Sequence, residues 1–257
     1  MEIFASVVTA FSMFSRIPMP NLPWNSRNIR YTMAFFPLIG VVIGGMVLLW
    51  NALALYLGFG AFLYGAGLAL LPAVVSGGIH LDGFCDTTDA LASHADRKKK
   101  LEILKDPHTG SFAAISLCMY LLAFSAVASE LETGLRGMLC FAATFVLSRA
   151  LSGLAVIFFP CAKDSGLAHT FADAAARRGC GLILGITAAG AASMILWFGH
   201  WPGGISLVSG LLTCVMYYRI AKKQFGGISG DLAGWFLQIC ELSMAAGLLL
   251  AQRLGKI

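Results

Sequence analysis

AFFPLIGVVIGGMVLLWNALALYL, residues 34–57, is an apolar run without a single Asp, Glu, Lys or Arg. A helix needs about 20 such residues to cross the hydrocarbon core of a bilayer, so this run is long enough to span by itself. Comparable stretches recur at 60–79, 111–129, 137–159, 181–198, 204–221 and 232–252. Composition points the same way: 58% of residues are hydrophobic and 12% charged, with a mean hydropathy of +0.79, which argues against an ordinary water-soluble domain. The expected fold is an all-α polytopic membrane protein of about seven transmembrane helices, a single integral membrane domain over 1–257.

The opening segment EIFASVVTAFSMFS is shorter and runs at once into Arg16, Pro18 and Pro20. It reads as a short interfacial or re-entrant helix. Glu2 stands where a secretory signal would have a basic start, and no small-residue cleavage site follows.

Cytoplasmic loops of membrane proteins carry an excess of Lys and Arg. Placing the first loop inside puts fourteen of the eighteen basic residues on the cytoplasmic side, leaves Arg136, Arg253 and Lys256 outside, and buries Arg149 in a span. The expected location is therefore a bacterial-type cytoplasmic (inner) membrane. The formal charge of +5 follows from this loop bias and calls for no nucleic acid. Seven scattered cysteines, Cys85, Cys118, Cys140, Cys161, Cys180, Cys214 and Cys240, show no zinc-ligand spacing and read as packing residues.

Six of the thirteen acidic residues fall between Asp82 and Asp106, inside HLDGFCDTTDALASHADRKKKLEILKDPHTG, residues 80–110. If this segment is helical after Gly83, Asp82, Asp86 and Asp89 project at about 0°, 40° and −20° at ~3.6 residues per turn. Three carboxylates then share one face, where they repel one another unless a cation lies between them. A hard divalent ion such as Mg²⁺, which takes a few carboxylate oxygens plus substrate phosphates, answers that repulsion. A solvated acidic face balanced by the adjacent RKKK run is the plainer alternative. Residues 80–110 are thus the candidate cytoplasmic acidic catalytic segment.

A second segment, 223–234, echoes the first. SGGIHLDGF at 76–84 and FGGISGDLAGW at 225–235 both contain Gly-Gly-Ile-x-x-Asp, giving Asp82 and Asp231. The two are expected to face each other. Gly77, Gly78, Gly226, Gly227 and Gly230 allow positive φ or close backbone approach, and successive N–H groups can cradle phosphate; helix breaking or close helix packing is the alternative. His80 borders the acidic row and is placed to orient a carboxylate or phosphate. Arg97 and Lys105 flank the row as phosphate contacts, while Lys98, Lys99 and Lys100 serve topology. Arg149 and Glu241 are ionisable residues within spans, where a paired or functional role is the default.

Taken in order, SRIPMP at 15–20, FFPLIG at 35–40, GGIHLDGFCDTTD at 77–89, LEILKDPHTG at 101–110 and FGGISGDLAG at 225–234 resemble the cobalamin synthases, the adenosylcobinamide-GDP ribazoletransferases. Weaker echoes lie at Ser148-Arg149 and Gly166-Leu167. Cys85 and Ala90 replace the family's usual Ala and Gly, and Ser229 its usual Thr; no carboxylate is lost. The resemblance implies a Mg²⁺-dependent membrane transferase of the late corrinoid pathway, joining adenosylcobinamide-GDP to α-ribazole or its 5′-phosphate with release of GMP. It places Asp82, Asp86, Asp89 and Asp231 as metal ligands, with Asp231 and Asp106 as further ligands or the base. The implied partners are these small molecules and the lipid bilayer, with self-association or association with other late corrinoid-pathway enzymes. Two other classes remain: a CDP-alcohol-type membrane phosphotransferase, from which the Asp and Gly spacing differs, and a polytopic transporter, which would more often hold its carboxylates near mid-span.

Overall fold

A computed structural model describes residues 2–255; Lys256, counted above with the outer cations, lies outside the described residues. The chain is almost entirely helical: α1 (Glu2–Phe14), α2 (Ser26–Ile29), α3 (Thr32–Leu57), α4 (Ala61–Ser76), α5 (Ile79–Ala92), α6 (Arg97–Ile103), α7 (Ser111–Ser129), α8 (Leu135–Phe158), α9 (Leu167–Ala174), α10 (Arg177–Ile220), a π-helical turn (Ala221–Phe225) and α11 (Gly230–Leu254). Helices α3, α7, α8, α10 and α11 are each long and apolar enough to cross a membrane. Helix α10 is two spans in one. At His200 the backbone leaves the helical region (φ 49°, ψ −134°) and the chain reverses. Its first limb, 177–199, meets α8 at Phe158 through Gly181 and at Cys140 through Gly199; its second limb, 201–220, meets α11 through Trp201 against Gly255 and Ser206 against Met244. By length and composition five helices qualify as spans, or six if the bent pair of α4 and α5 is one broken span, against about seven expected; the break in α10 accounts for the difference. Helix α1, 13 residues long, is the short N-terminal helix packed beside α3.

The outer faces of these helices carry exposed leucines, such as Leu122 (67%), Leu182 (66%) and Leu212 (65%). In water such a surface would drive association; in a bilayer it is the lipid-facing side. The inner contacts use small residues, as membrane helices do for lack of a hydrophobic drive between them. Gly40 and Gly44 of α3 sit directly on the α8 backbone at Phe145 and Ala142.

The two fully buried charges within the spans are paired. Arg149 of α8 and Glu241 of α11 are both 0% exposed and lie 2.7 Å apart, with Ser148 adding a 3.0 Å hydrogen bond to the same Glu241 oxygen. The sequence left their role open between pairing and function; the structure pairs them.

Segment 80–110 is less of a loop than the sequence suggests. After α4 the chain turns by 98° at Gly77 (φ 67°) and Gly78 (φ 83°), a left-handed corner that a β-carbon would strain. Helix α5 therefore lies across the end of the bundle rather than through it, packed on the first turns of α7 and α11. A β-carbon at Gly83 would come within 2.7 Å of the Asp231 carbonyl oxygen and 2.8 Å of its Cα, and one at Gly234 within 2.9 Å of the His80 carbonyl. On the other side Asp89 accepts the N–H groups of Gly110 (2.6 Å) and Ala113 (2.8 Å), capping α7.

Two outcomes follow for stability. Arg149→Met or Glu241→Gln should each cost about 3–5 kcal/mol by stranding a buried charge, and the pair Arg149→Met with Glu241→Leu should recover most of it; thermal unfolding of the detergent-solubilised protein measures this. Gly83→Ala should lower the unfolding midpoint, at a cost of about 1–3 kcal/mol for overpacking, whereas Gly45→Ala, where an added β-carbon meets nothing within 4 Å, should not.

Candidate active site

At one end of the bundle α5, α6, the loop after α8, α9 and the start of α11 come together. Helix formation over Ile79–Ala92 puts Asp82, Asp86 and Asp89 on one face, and the Gly83 contact brings Asp231 beside them. Asp86 feels all three. Partial burial, then the negative charges of Asp82, Asp231 and Asp89, push its carboxyl up to about 6. The two Gly-Gly-Ile-x-x-Asp motifs are therefore neighbours, as their echo suggested, but the residues that let them touch are Gly83 and Gly234. Neither stood out in the sequence as a site residue, since each lies one or more positions beyond a more conspicuous glycine pair.

The glycine pairs serve the backbone. The N–H groups of Gly77 and Gly78 cap α4 on Val74 and Ala73, and those of Gly226 and Gly227 return to Ala221. With these donors committed to helix ends, the phosphate cradle expected of the pairs is not what the structure builds. The Arg97 guanidinium occupies the space a side chain at Gly226 would need, which places it over the π-helical turn. Gly227 packs on the backbone of Pro160 and Cys161, and a short parallel bridge, Ala162 N–H to Ile228 O and Ile228 N–H to Pro160 O, both 2.8 Å, ties the second motif to the loop after α8. Gly230 alone of the five opens onto cavities.

Two cavities meet there. The first, of about 260 Å³, is lined by Phe14, Phe36, His80, Phe171 and Leu237, with Asp82, Gly230 and Asp231 also on its wall. The second, of about 250 Å³, is bordered by Lys105, Lys163, Ser165, His169, Ser229 and again Gly230 and Asp231. Leu167 and Ala168 at the start of α9 line both. Ser229 caps α11, accepting the Leu232 N–H at 3.2 Å, and its hydroxyl lies 3.4 Å from the Asp231 carboxylate. Lys163 was counted in the sequence only as a topological charge. Its Nζ donates to Leu101 O at 3.0 Å; partial burial, and then the neighbouring Lys105, hold its ammonium below the usual lysine range, while Asp231 opposes that shift. No motif marked it, because the short loop that carries it is placed by the bridge to Ile228, a contact remote in sequence.

Other expected residues stand apart. Asp106 is exposed and accepts from the His108 N–H (3.0 Å) and faces its ring Nδ1 (2.7 Å), bonds that hold its carboxyl below the usual range; it lines neither cavity. Both oxygens of Asp89 are occupied by α7. The His80 ring is buried between Phe14 and Phe36, at centroid distances of 6.4 and 5.6 Å.

Among the described residues no three acidic, His or Cys side chains converge into a ready-made cation cage. The donor chemistry still suits a hard divalent ion of the kind that takes one or two carboxylates and completes its shell with water and phosphate oxygens. The mutual repulsion recorded at Asp86 is what such an ion would relieve.

Comparison with known proteins agrees with the arrangement of motifs. The cobalamin-5-phosphate synthase family matches residues 6–249. An adenosylcobinamide-GDP ribazoletransferase of Lachnoclostridium phytofermentans is 40% identical over 98% of this chain and 96% of its own. Proteins of the same name from Clostridium botulinum (32% identical, 94% of this chain and 95% of theirs) and Pseudomonas entomophila (33%, 94% and 97%) are similar along their length. No solved structure matches. With its acidic helix, its second Gly-Asp motif and its bundle all within the matched span, the chain belongs to the cobalamin-5-phosphate synthase family.

Proposed function

We propose that this protein is an adenosylcobinamide-GDP ribazoletransferase of the nucleotide-loop assembly step of cobalamin biosynthesis. One observation carries the reading. Asp231 stands where a basic cavity and an apolar cavity meet, with Asp82 beside it on the wall of the apolar one, as a transfer between a nucleoside diphosphate and an aromatic nucleoside requires.

In the reaction a hydroxyl oxygen of α-ribazole, or of its 5′-phosphate, forms a bond to the cobinamide-side phosphorus. The bond from that phosphorus to the bridging oxygen breaks, and GMP leaves with the electron pair. Such displacements depend on positioning and on neutralising charge at the non-bridging and leaving oxygens. Lys105 and Lys163 bind the diphosphate in the second cavity. Asp231, bordering both cavities, accepts the proton of the attacking hydroxyl. Asp82 and Asp86 would hold Mg²⁺, which supplies charge neutralisation at the phosphoryl oxygens. Asp89 positions α5 by capping α7.

The carboxylates lie at the end of the bundle rather than mid-span, which speaks against a transporter. The same end gathers Arg97, Lys98, Lys99, Lys100, Lys105, Lys163, Lys222 and Lys223, a bias that supports a cytoplasmic-facing site in an inner membrane.

Purified protein given adenosylcobinamide-GDP, α-ribazole and Mg²⁺ should release GMP, and EDTA should stop the release. Turnover of a CDP-alcohol without GMP formation would replace this reading with its phosphotransferase rival. Asp82→Asn and Asp231→Asn should each lower turnover by about 10²-fold or more, in line with removing a group that acts on the reacting phosphoryl, with the unfolding midpoint preserved. Asp89→Asn should instead act chiefly on stability, by about 1 kcal/mol, as loss of a helix cap does. Near-normal turnover in Asp82→Asn or Asp231→Asn removes that residue from the site.

A further inference from the structure

The first cavity has a makeup that the phosphoryl chemistry does not use. Its wall is three phenylalanines, Phe14, Phe36 and Phe171, with Met33, Val156 and Leu237. Into this apolar lining the structure sets one polar ring, His80, 6% exposed, whose Nε2 is buried and has no hydrogen-bond partner. An unpaired buried polar atom costs about 1–3 kcal/mol, and in native proteins such an atom commonly marks a missing ligand or water. Asp82 and Asp231 are also on its wall, and Asp231 borders the basic cavity as well.

We propose that this cavity seats the flat, uncharged heteroaromatic base of the attacking nucleoside, with the His80 imidazole as the polar contact to a ring nitrogen. The inference rests on the transferase reading above and adds to it which cavity takes which substrate. Its dimensions agree. An apolar cavity of about 150 Å³ accommodates benzene, so about 260 Å³ leaves room for two fused rings. Aromatic walls favour a flat guest through offset and edge-to-face contacts, and a few placed polar atoms in an apolar lining give such sites their selectivity. A base seated here directs its sugar toward Asp231 and the neighbouring Lys105–Lys163 cavity. His80 thereby acts on the base, not on a carboxylate or phosphate as its position beside the acidic row suggested.

The test uses the full-length protein in lipid nanodiscs, with benzimidazole and its carbocyclic counterpart indane as probes in titration calorimetry. Benzimidazole should bind about tenfold more tightly than indane, the worth of one hydrogen bond to an otherwise unpaired buried group, and His80→Phe, which keeps the ring and removes its nitrogens, should erase that difference. Ser152→Leu, which narrows the cavity from its α8 wall, should weaken both probes. It also serves as the reporter if His80→Phe fails to fold. In turnover, His80→Phe should raise the KM for α-ribazole about tenfold while leaving the KM for adenosylcobinamide-GDP unchanged. Equal binding of the two probes, displacement of both by laurate with no effect of His80→Phe, or an unchanged KM for α-ribazole in both variants overturns the proposal. GMP release with no His80-dependent benzimidazole binding leaves the transferase standing and removes the base pocket. His80-dependent binding without GMP release removes the transferase and keeps a heteroaromatic site.

Discussion

The site depends on one close approach, that of α5 to α11 at Gly83 and Asp231. Two helices whose backbones touch at a glycine are held in register to within a fraction of an ångström, since any β-carbon there meets main chain rather than a side chain that can move aside. That register decides where Asp231 stands relative to Asp82 and Asp86, and so whether an acid distant in sequence joins the α5 row as one charged surface. Burial and mutual repulsion at Asp86 are its electrostatic signature. The arrangement is costly without a cation nearby, and perturbed groups of this kind collect where a protein binds and reacts.

The bundle that supports this contact is built for lipid. Leucines such as Leu122, Leu182 and Leu212 cover its outer faces, Gly40 and Gly44 make its closest helix contacts, and the one fully buried ion pair among the described residues, Arg149 with Glu241, joins α8 to α11 in an interior that offers no water to an unpaired charge. Because α11 carries Asp231 at its first turn, the ion pair fixes from within the same helix that Gly234 fixes from without. Polar groups near mid-span here hold helices together; Asp82, Asp231, Lys105 and Lys163 at the bundle's end line the two cavities.

Hydropathy made the spans legible in advance, down to the two that share α10, because the length of an apolar run translates directly into a crossing. The helical face of Asp82, Asp86 and Asp89 was legible for the same reason, being a matter of period alone. What the sequence could not show was how the short pieces between spans dock. The glycine pairs invited a phosphate-binding reading, yet their N–H groups close helix ends, and Gly83 and Gly234 make the contact that matters. Lys163 is invisible as a motif because the bridge from Ala162 to Ile228 that positions its loop joins segments far apart in the chain. Asp89 read as a ligand by its spacing, whereas its oxygens meet the start of α7, a partner set by tertiary structure. Family likeness identified the carboxylates; it did not divide the work among them.

That cap has a mechanical meaning. Helix α7 is among the least enclosed of the spans, held largely by lipid and by α4 and α5, and a helix so placed answers a thicker or thinner bilayer by changing its tilt. Its N-terminus is bolted through Gly110 and Ala113 to the last carboxylate of the acidic row. Asp89 thus joins the acidic row to the start of a span whose outer face is apolar and exposed, alongside the Phe84–Tyr120 ring contact that ties the same two helices together.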